Sequence, residues 1–364
     1  MSHASRSSDL VVVGGGVIGL SIAWRAAAAG FSVTLLERGR VGREASWAGA
    51  GVLPPRSWYV DHPSLDRLAR RAERRQADWS DRLREATGVD DEFSNGGARY
   101  DLSGDTDDNR RGAATLERWA SLGVVVEPLG DQRYAVPAEA QVRNPRRLRA
   151  LAVAARSAGV RVLEGVEALG LVRDVDRVTG VQTPGERIDA GAVCLAAGCW
   201  TPGLANRAES SAPGKPIRGQ MLLLRPAEAP DCVLHAPPWY AVPRREGLVL
   251  VGATVEDVGF EASTTDAAKT ALRDAATRLD RRLATAEIEG FWAGLRPAGV
   301  DPLPQIGWAP GVEGLLIASA HHRSGLQFSP PTAELVVSLL RGERLPEDFE
   351  CFSPQRFAHA TATA

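Results

Sequence analysis

Three glycines and a carboxylate are the residues in this chain most clearly spaced for chemistry. Gly14, Gly16 and Gly19 lie in the run Gly14-Gly15-Gly16-Val17-Ile18-Gly19, and Glu37 follows 18 positions after Gly19. In that pattern the first glycine permits a tight turn, the second lets backbone approach a pyrophosphate, and the third lets a helix pack on a strand. A helix N-terminus there offers N–H groups and the positive end of its dipole to phosphate. Glu37 can accept hydrogen bonds from a ribose diol. A glycine-rich turn in some other α/β protein is the plain alternative. Context argues against it: Val11-Val12-Val13 precedes the glycines, an Ala-rich run follows, and Phe31-Ser32-Val33-Thr34-Leu35-Leu36 leads to Glu37. Strand, glycine turn, helix, strand and acid together make a strong dinucleotide signal.

A second segment suits the same ligand class. Six of the ten residues 45–54 are Ala, Gly or Ser, with Trp47 among the rest. Small residues with available N–H groups allow backbone to approach a phosphate chain and a flat ring. The apolar character argues against a flexible surface loop. Only one GxGxxG is present, and a flavin reductase fed by a nicotinamide cofactor usually needs a second nucleotide site. Cys194, Cys199, Cys232 and Cys351 show no CxxC spacing, so neither a redox dithiol nor a zinc site is signalled. If a flavin is bound, a small substrate reduces it directly, and oxygen or another acceptor reoxidises it.

The elements that must position these residues can be read in part. Leu65, Leu68, Ala72, Trp79 and Leu83 give residues 64–87 a helical stripe that Gly88 ends. Arg67, Arg70, Arg71, Arg74 and Arg75 alternate with acids there, which reads as a solvated face. Residues 91–134 read as short strands and a helix. Asn144 reads as the cap of a second helix, with Pro145 in its first turn and Gly159 at its end. Strands are expected at 160–163, 192–197 and 315–319, and helices at 265–282 and 331–341. Residues 217–289 otherwise alternate in strand fashion. The fold class is α/β: a discontinuous Rossmann-like nucleotide domain (residues 1–88, 141–216 and 291–364) interleaved with a β-rich α+β substrate domain (89–140 and 217–290). Their interface would form the site.

Composition sets limits. At 364 residues the chain can build two lobes, and 44% hydrophobic with 24% charged residues is ordinary for a soluble globular protein. A formal charge of −2 gives no reason to expect nucleic acid or anionic membrane as a partner. No apolar run is long enough to span a bilayer. A signal peptide at residues 10–24 is rejected because cleavage would destroy the glycine motif. Residues 1–8 read as a frayed polar leader. Few, dispersed thiols fit a reducing cytosol.

Four motifs carry a resemblance. They are residues 13–37; the loop Ala45-Ser46-Trp47-Ala48-Gly49-Ala50-Gly51; the segment Trp292-Ala293-Gly294-Leu295-Arg296-Pro297; and the loop Ala320-His321-His322-Arg323-Ser324-Gly325. In order and spacing the chain resembles the D-amino-acid oxidase superfamily of FAD-dependent amine oxidases, most of all glycine oxidases of the thiamine thiazole pathway. The resemblance implies a Rossmann-like FAD-binding domain and a role for each matching position. Gly14, Gly16 and Gly19 would hold the pyrophosphate, with Glu37 and Arg38 on the adenosine side. Ser46, Ala48, Gly49 and Gly51 would line the ribityl chain and flavin. Val166 would meet the adenine, and Ala197, Gly198 and Trp200 would pack near the cofactor. Arg323, Ser324, Gly325, Leu326 and Gln327 would sit at the pyrimidine edge of the flavin, where charge develops on reduction. Arg296 would bind the substrate carboxylate, since a guanidinium makes two parallel charge-assisted bonds and stays protonated. A structural salt bridge is the commoner fate of an arginine. Tyr240 would be a second carboxylate contact or a lid; an ordinary sheet tyrosine is the equal alternative. His321 and His322 read as loop packing or flavin-edge contacts, and no metal site is expected. Monomeric sarcosine oxidases of this superfamily anchor flavin through a cysteine after the arginine motif. Residues 301–311 contain none, so noncovalent FAD is expected.

The implied reaction is oxidative deamination of a small amino acid or secondary amine, with hydride transfer to flavin and oxygen reduced to hydrogen peroxide. The amine must be unprotonated, so the reductive rate should rise with pH. A dehydrogenase passing electrons to a quinone, a nicotinamide-dependent dehydrogenase and a noncatalytic FAD-bound scaffold are the rivals. No amphipathic basic anchor supports the quinone reading. Cytoplasmic localisation and a homo-oligomer are further expectations. Glycine, sarcosine, D-alanine and D-proline are not separated by sequence, because an apolar pocket discriminates a methylene by only about 1–3 kcal/mol.

Overall fold

A β-branched run closed by glycine makes a strand buried on both faces. In the computed structural model, which describes residues 7–58 and 60–358, that strand is Ser8–Val13. The expected leader lies outside the described residues up to residue 6, and Ser8 already belongs to the strand. Leu10 and Val12 face one apolar cluster, while Val11 and Val13 face another. Such two-sided burial is the mark of a parallel sheet covered on both faces. Ser8–Val13 pairs in parallel with Val33–Glu37 and with Arg187–Leu195. The sheet extends through Arg161–Glu164 on one side. On the other it runs through Leu315–Ser319 to Gln305–Trp308, whose pairing is antiparallel. An antiparallel arm, Gly170–Asp174 and Arg177–Gln182, joins through Arg187–Leu195.

The second sheet has eight strands in the order Glu287–Gly299, Gly214–Arg225, Val249–Gly252, Trp239–Pro243, Val233–Ala236, Ala98–Asp101, Arg133–Val136 and Glu127–Gly130. Every pairing is antiparallel except that of Val233–Ala236 with Ala98–Asp101. The chain thus passes between the two sheets repeatedly, as a discontinuous α/β fold requires. The strand Glu287–Gly299 stays in the second sheet to Gly299, past residue 291 where the sequence places the return to the first layer.

Two helices differ from the sequence expectation, each for a local reason. Asn144 lies inside the helix Asn144–Ser157, whose N-cap is Arg143. Its side chain reaches across the chain: Nδ2 donates to Ser46 O at 2.7 Å. The last long helix begins at Gly325, not at 331, and carries Pro330 and Pro331 inside it. Each proline removes an N–H and disturbs the carbonyl four residues earlier, here Leu326 and Gln327. Those two carbonyls find another donor, Gln76 Nε2, at 3.4 and 2.9 Å. Gln76 sits on the helix Pro63–Thr87 and its Oε1 accepts from the buried Arg147 at 3.1 Å. One amide therefore joins three helices that cover the same face of the first sheet.

The helix Pro63–Thr87 matches its sequence signals. His62 caps it, and Gly88 ends it in the left-handed conformation. Of its arginines, Arg71 and Arg75 pair with Glu334 of the last helix and Arg67 with Asp348. The four cysteines are free, and burial pushes Cys194 and Cys199 up to about 12 and Cys232 to about 11. Among the described residues no helix is long and apolar enough to cross a membrane.

Candidate active site

The glycine turn is built by contact. A Cβ on Gly19 would lie 1.9 Å from Gly14 O, so only glycine lets the helix Val17–Ala28 start so close to the strand. Gly14 itself has φ +112° and no room toward Ala196 O. Glu37 is buried and holds the turn: Gly15 N–H donates to its Oε2 and Gly39 N–H to its Oε1, both at 2.8 Å. The helix start is tied to the next loop, because Val17 N–H donates to Ser46 Oγ at 3.0 Å. Arg244, on the second sheet side, donates to Ala50 O at 2.5 Å and Val142 O at 3.1 Å. The small-residue loop is thereby pinned from both layers.

Between the layers lies a cavity of about 1330 Å³. That exceeds the roughly 300–1,000 Å³ of ordinary small-molecule pockets. Sequence-predicted positions line it along their elements. Gly14, Gly16, Glu37 and Arg38 come from the first strand pair, and Ser46, Ala48, Gly49 and Gly51 from the loop. Val166, Ala197, Gly198 and Trp200 stand at its side, with the Arg38 guanidinium 3.8 Å above the Trp200 ring. Arg323, Ser324, Gly325, Leu326 and Gln327 lead into the last helix, and Arg296 and Tyr240 face the cavity from the second sheet. Gly19 does not line it and acts through the packing just described.

Arg296 brings a guanidinium to the cavity wall. Its Nη1 donates to Thr254 O at 3.0 Å and Arg218 O at 3.3 Å. Room for the guanidinium exists because position 219 is glycine: a Cβ there would sit 2.1 Å from Arg296 Nη2. Behind the two carbonyls, Glu256 accepts from Arg218 Nε at 3.1 Å and Gln220 Nε2 at 2.8 Å. Burial pulls the Arg296 pKa below its ordinary value while the neighbouring Tyr240 opposes the shift. The group stays charged. Burial also pushes His321 down to about 3 and His322 to about 4, the latter helped by Arg323 and Arg296. Both are therefore neutral at neutral pH. His321 Nε2 lies 3.0 Å from Thr332 Oγ1, and both histidines line the cavity.

Sequence reasoning passed over several cavity residues. Asn144 read as a cap, and Gly219, Glu256, Glu139 and His235 carried no local pattern. A repeated arginine-acid or aromatic spacing was absent at each, so no signal existed to find them.

A dinucleotide cofactor fits these walls. At Gly16 and Gly49 the wall is bare backbone, and a Cβ on Gly16 would crowd Ser46 Oγ at 3.2 Å. A glycine turn closing on a buried Glu37, opposite a sheet that brings the Arg296 guanidinium to the cavity, defines the class of dinucleotide-binding oxidoreductases. The FAD dependent oxidoreductase family matches residues 9–339, and the chain belongs to it. It is similar to a glycine oxidase of Pseudomonas aeruginosa, 37% identical over 92% of this chain and 95% of the relative. It is also similar to a bifunctional protein ThiO/ThiG of Synechocystis sp., 32% identical over 98% of this chain and 55% of that longer protein. Among solved structures, glycine oxidase from Geobacillus kaustophilus superposes with a TM-score of 0.89 at 29% identity, covering 96% of this chain and 99% of the other. The chain is an FAD-dependent amino acid oxidase.

Proposed function

We propose that this enzyme oxidatively deaminates glycine or an amine of similar size, such as sarcosine, D-alanine or D-proline. The carrying observation is Arg296: a cavity-facing guanidinium, fixed by two backbone carbonyls and given space by Gly219. Relatives named glycine oxidase in Pseudomonas aeruginosa and Pseudomonas putida support the substrate class.

In this reading the substrate carboxylate docks on Arg296 in a bidentate pair, which fixes the direction of its α C–H bond. Tyr240 closes over the acid group from the strand Trp239–Pro243 of the same sheet. The backbone of residues 45–51 and the start of the helix Gly325–Leu340 would hold the ring, with Glu37 and the glycine turn on the dinucleotide side. A bound flavin would supply the hydride acceptor and the route of the electrons to oxygen, with hydrogen peroxide as the product. The substrate nitrogen must carry a free lone pair, which becomes the imine bond as the hydride leaves. Water then yields the oxo acid and ammonia. In the thiamine thiazole pathway that the sequence resemblance implies, the imine itself would be the product consumed. FAD is held noncovalently in this reading, since residues 301–311 carry no cysteine and the thiols elsewhere are mostly buried. The domain division proposed from the sequence accompanies it, with the last crossing at Gly299.

Anaerobic mixing with a panel of small amines tests the reading. Glycine or a close analogue should bleach the flavin, and Arg296→Ala should stay yellow while losing carboxylate substrates. Normal reaction of Arg296→Ala with glycine would remove Arg296 from the role.

A further inference from the structure

One polar cluster in the cavity wall has no part in the chemistry described so far. Glu139 is almost wholly buried, and its two carboxylate oxygens have different partners. Tyr100 donates its hydroxyl proton to Oε2, and His235 Nε2 lies 2.6 Å from Oε1. Tyr100 and His235 stack with centroids 4.3 Å apart and planes within 5°. Among the described residues this is the one imidazole–carboxylate pair, and both Glu139 and His235 line the cavity. A carboxylate accepts and does not donate, so the Nε2 proton of a neutral His235 points at Glu139. Nδ1 keeps its lone pair and has no hydrogen-bond partner among the described residues.

The position of this pair matters for the substrate nitrogen. His235 is the cross-strand partner of Tyr240, with ring centroids 6.2 Å apart, and Tyr240 stands against Arg296. An amino acid arrives at neutral pH with its amine protonated, because free amines titrate at about 8 to 10. Hydride departure requires the neutral amine, so a substrate that enters protonated must give up one proton inside the cavity. Arg296 and Arg323 do not take it. His321 and His322 hold no proton above about pH 4. The groups facing His235 are Glu139, Tyr100 from the strand Ala98–Asp101 and Tyr240 from the strand Trp239–Pro243. Trp58 stacks on its ring, and Asp108 and Arg111 of the helix Asp107–Ser121 line the same cavity.

We infer that His235 accepts the ammonium proton of the bound substrate, with Glu139 and Tyr100 as positioning residues. The inference rests on the proposed amine oxidation. In the step an N–H bond of the substrate ammonium breaks and its electron pair remains on nitrogen. A new N–H bond forms at His235 Nδ1, and no atom changes oxidation state. Glu139 balances the imidazolium and Tyr100 balances Glu139, as in a base held by a third group. The pair thereby lets the amine react at pH values where most of it is protonated in solution.

The test compares wild type with His235→Gln and Glu139→Gln as FAD-loaded proteins. Anaerobic flavin reduction by saturating glycine is followed from pH 6 to pH 10. Loss of a general base should slow both variants about 100-fold at pH 7. Their rates should climb with pH and approach wild type once the free amine predominates. Binding of 2-aminoisobutyrate, which has no α C–H bond, is read from the flavin spectrum and should be unchanged at high pH. If His235→Gln does not fold, Glu139→Gln carries the same prediction. A uniform loss across pH, or a profile like wild type, overturns the inference while leaving the proposed function standing. Failure of every small amine to bleach the wild-type flavin takes both down.

Discussion

Gly219→Ala separates the stability of the fold from the geometry of the site. The added Cβ would lie 2.1 Å from Arg296 Nη2 and 2.2 Å from its Cζ. An ordinary carbon contact begins near 3.5 Å, so the guanidinium must retreat by about 1.4 Å. The clash falls on the far end of a flexible side chain rather than on backbone, so the strand Gly214–Arg225 should keep its pairing. A displacement of that size takes at least one of two charge-assisted bonds beyond hydrogen-bonding distance. One such bond contributes about 1.5–3 kcal/mol, which is roughly a 10- to 150-fold loss of affinity. The assay is a titration of the oxidised, FAD-loaded variant with a small carboxylate, read from the flavin spectrum, beside a thermal melt. Weakened carboxylate binding with a near-native melt is expected. Wild-type affinity in a folded Gly219→Ala protein would refute the link between position 219, Arg296 and the acid group.

Other consequences follow from the same contacts. Gln76→Leu leaves the Gln327 carbonyl and the Arg147 Nη1 without their partner and takes from Leu326 O one of its two donors, Ser329 Oγ remaining, and a denaturant titration should show a loss of about 2–4 kcal/mol. Gly19→Ala puts a Cβ 1.9 Å from backbone at Gly14 O, so the protein should be recovered without FAD or not recovered folded. His322 has its folded pKa lowered to about 4 from 6.5 by burial. Its contribution is therefore complete above pH 6.5 and is lost as pH falls toward 4, by at most about 3 kcal/mol. His322→Asn should flatten that part of the stability–pH curve, as urea melts at successive pH values would show.

What the sequence could reveal was what lies close along the chain. The glycine turn, Glu37 and the helix Val17–Ala28 sit within 30 residues of one another, and their spacing is itself the signal. Arg296 was legible through its flanking motif. Gly219 was not, because its necessity arises from an arginine 77 positions on, across an antiparallel ladder. The Glu139 cluster is assembled from partners 39 and 96 positions away. Gln76 reads as one more polar residue on a charged helix until the helix bearing Pro330 and Pro331 is packed against it. Asn144 has the composition of a cap, yet tertiary demand for a donor at Ser46 O drew its side chain elsewhere. Local propensity chose the elements, and long-range polar pairing chose which side chains face the cavity.

A crystal structure of the FAD-loaded enzyme with glycolate bound tests the core of this account most directly. The isoalloxazine should lie along residues 45–51, with the glycolate carboxylate paired to both terminal nitrogens of Arg296 beneath Tyr240. A ligand held elsewhere in the cavity, with Arg296 still turned onto the carbonyls of Arg218 and Thr254 alone, would contradict it.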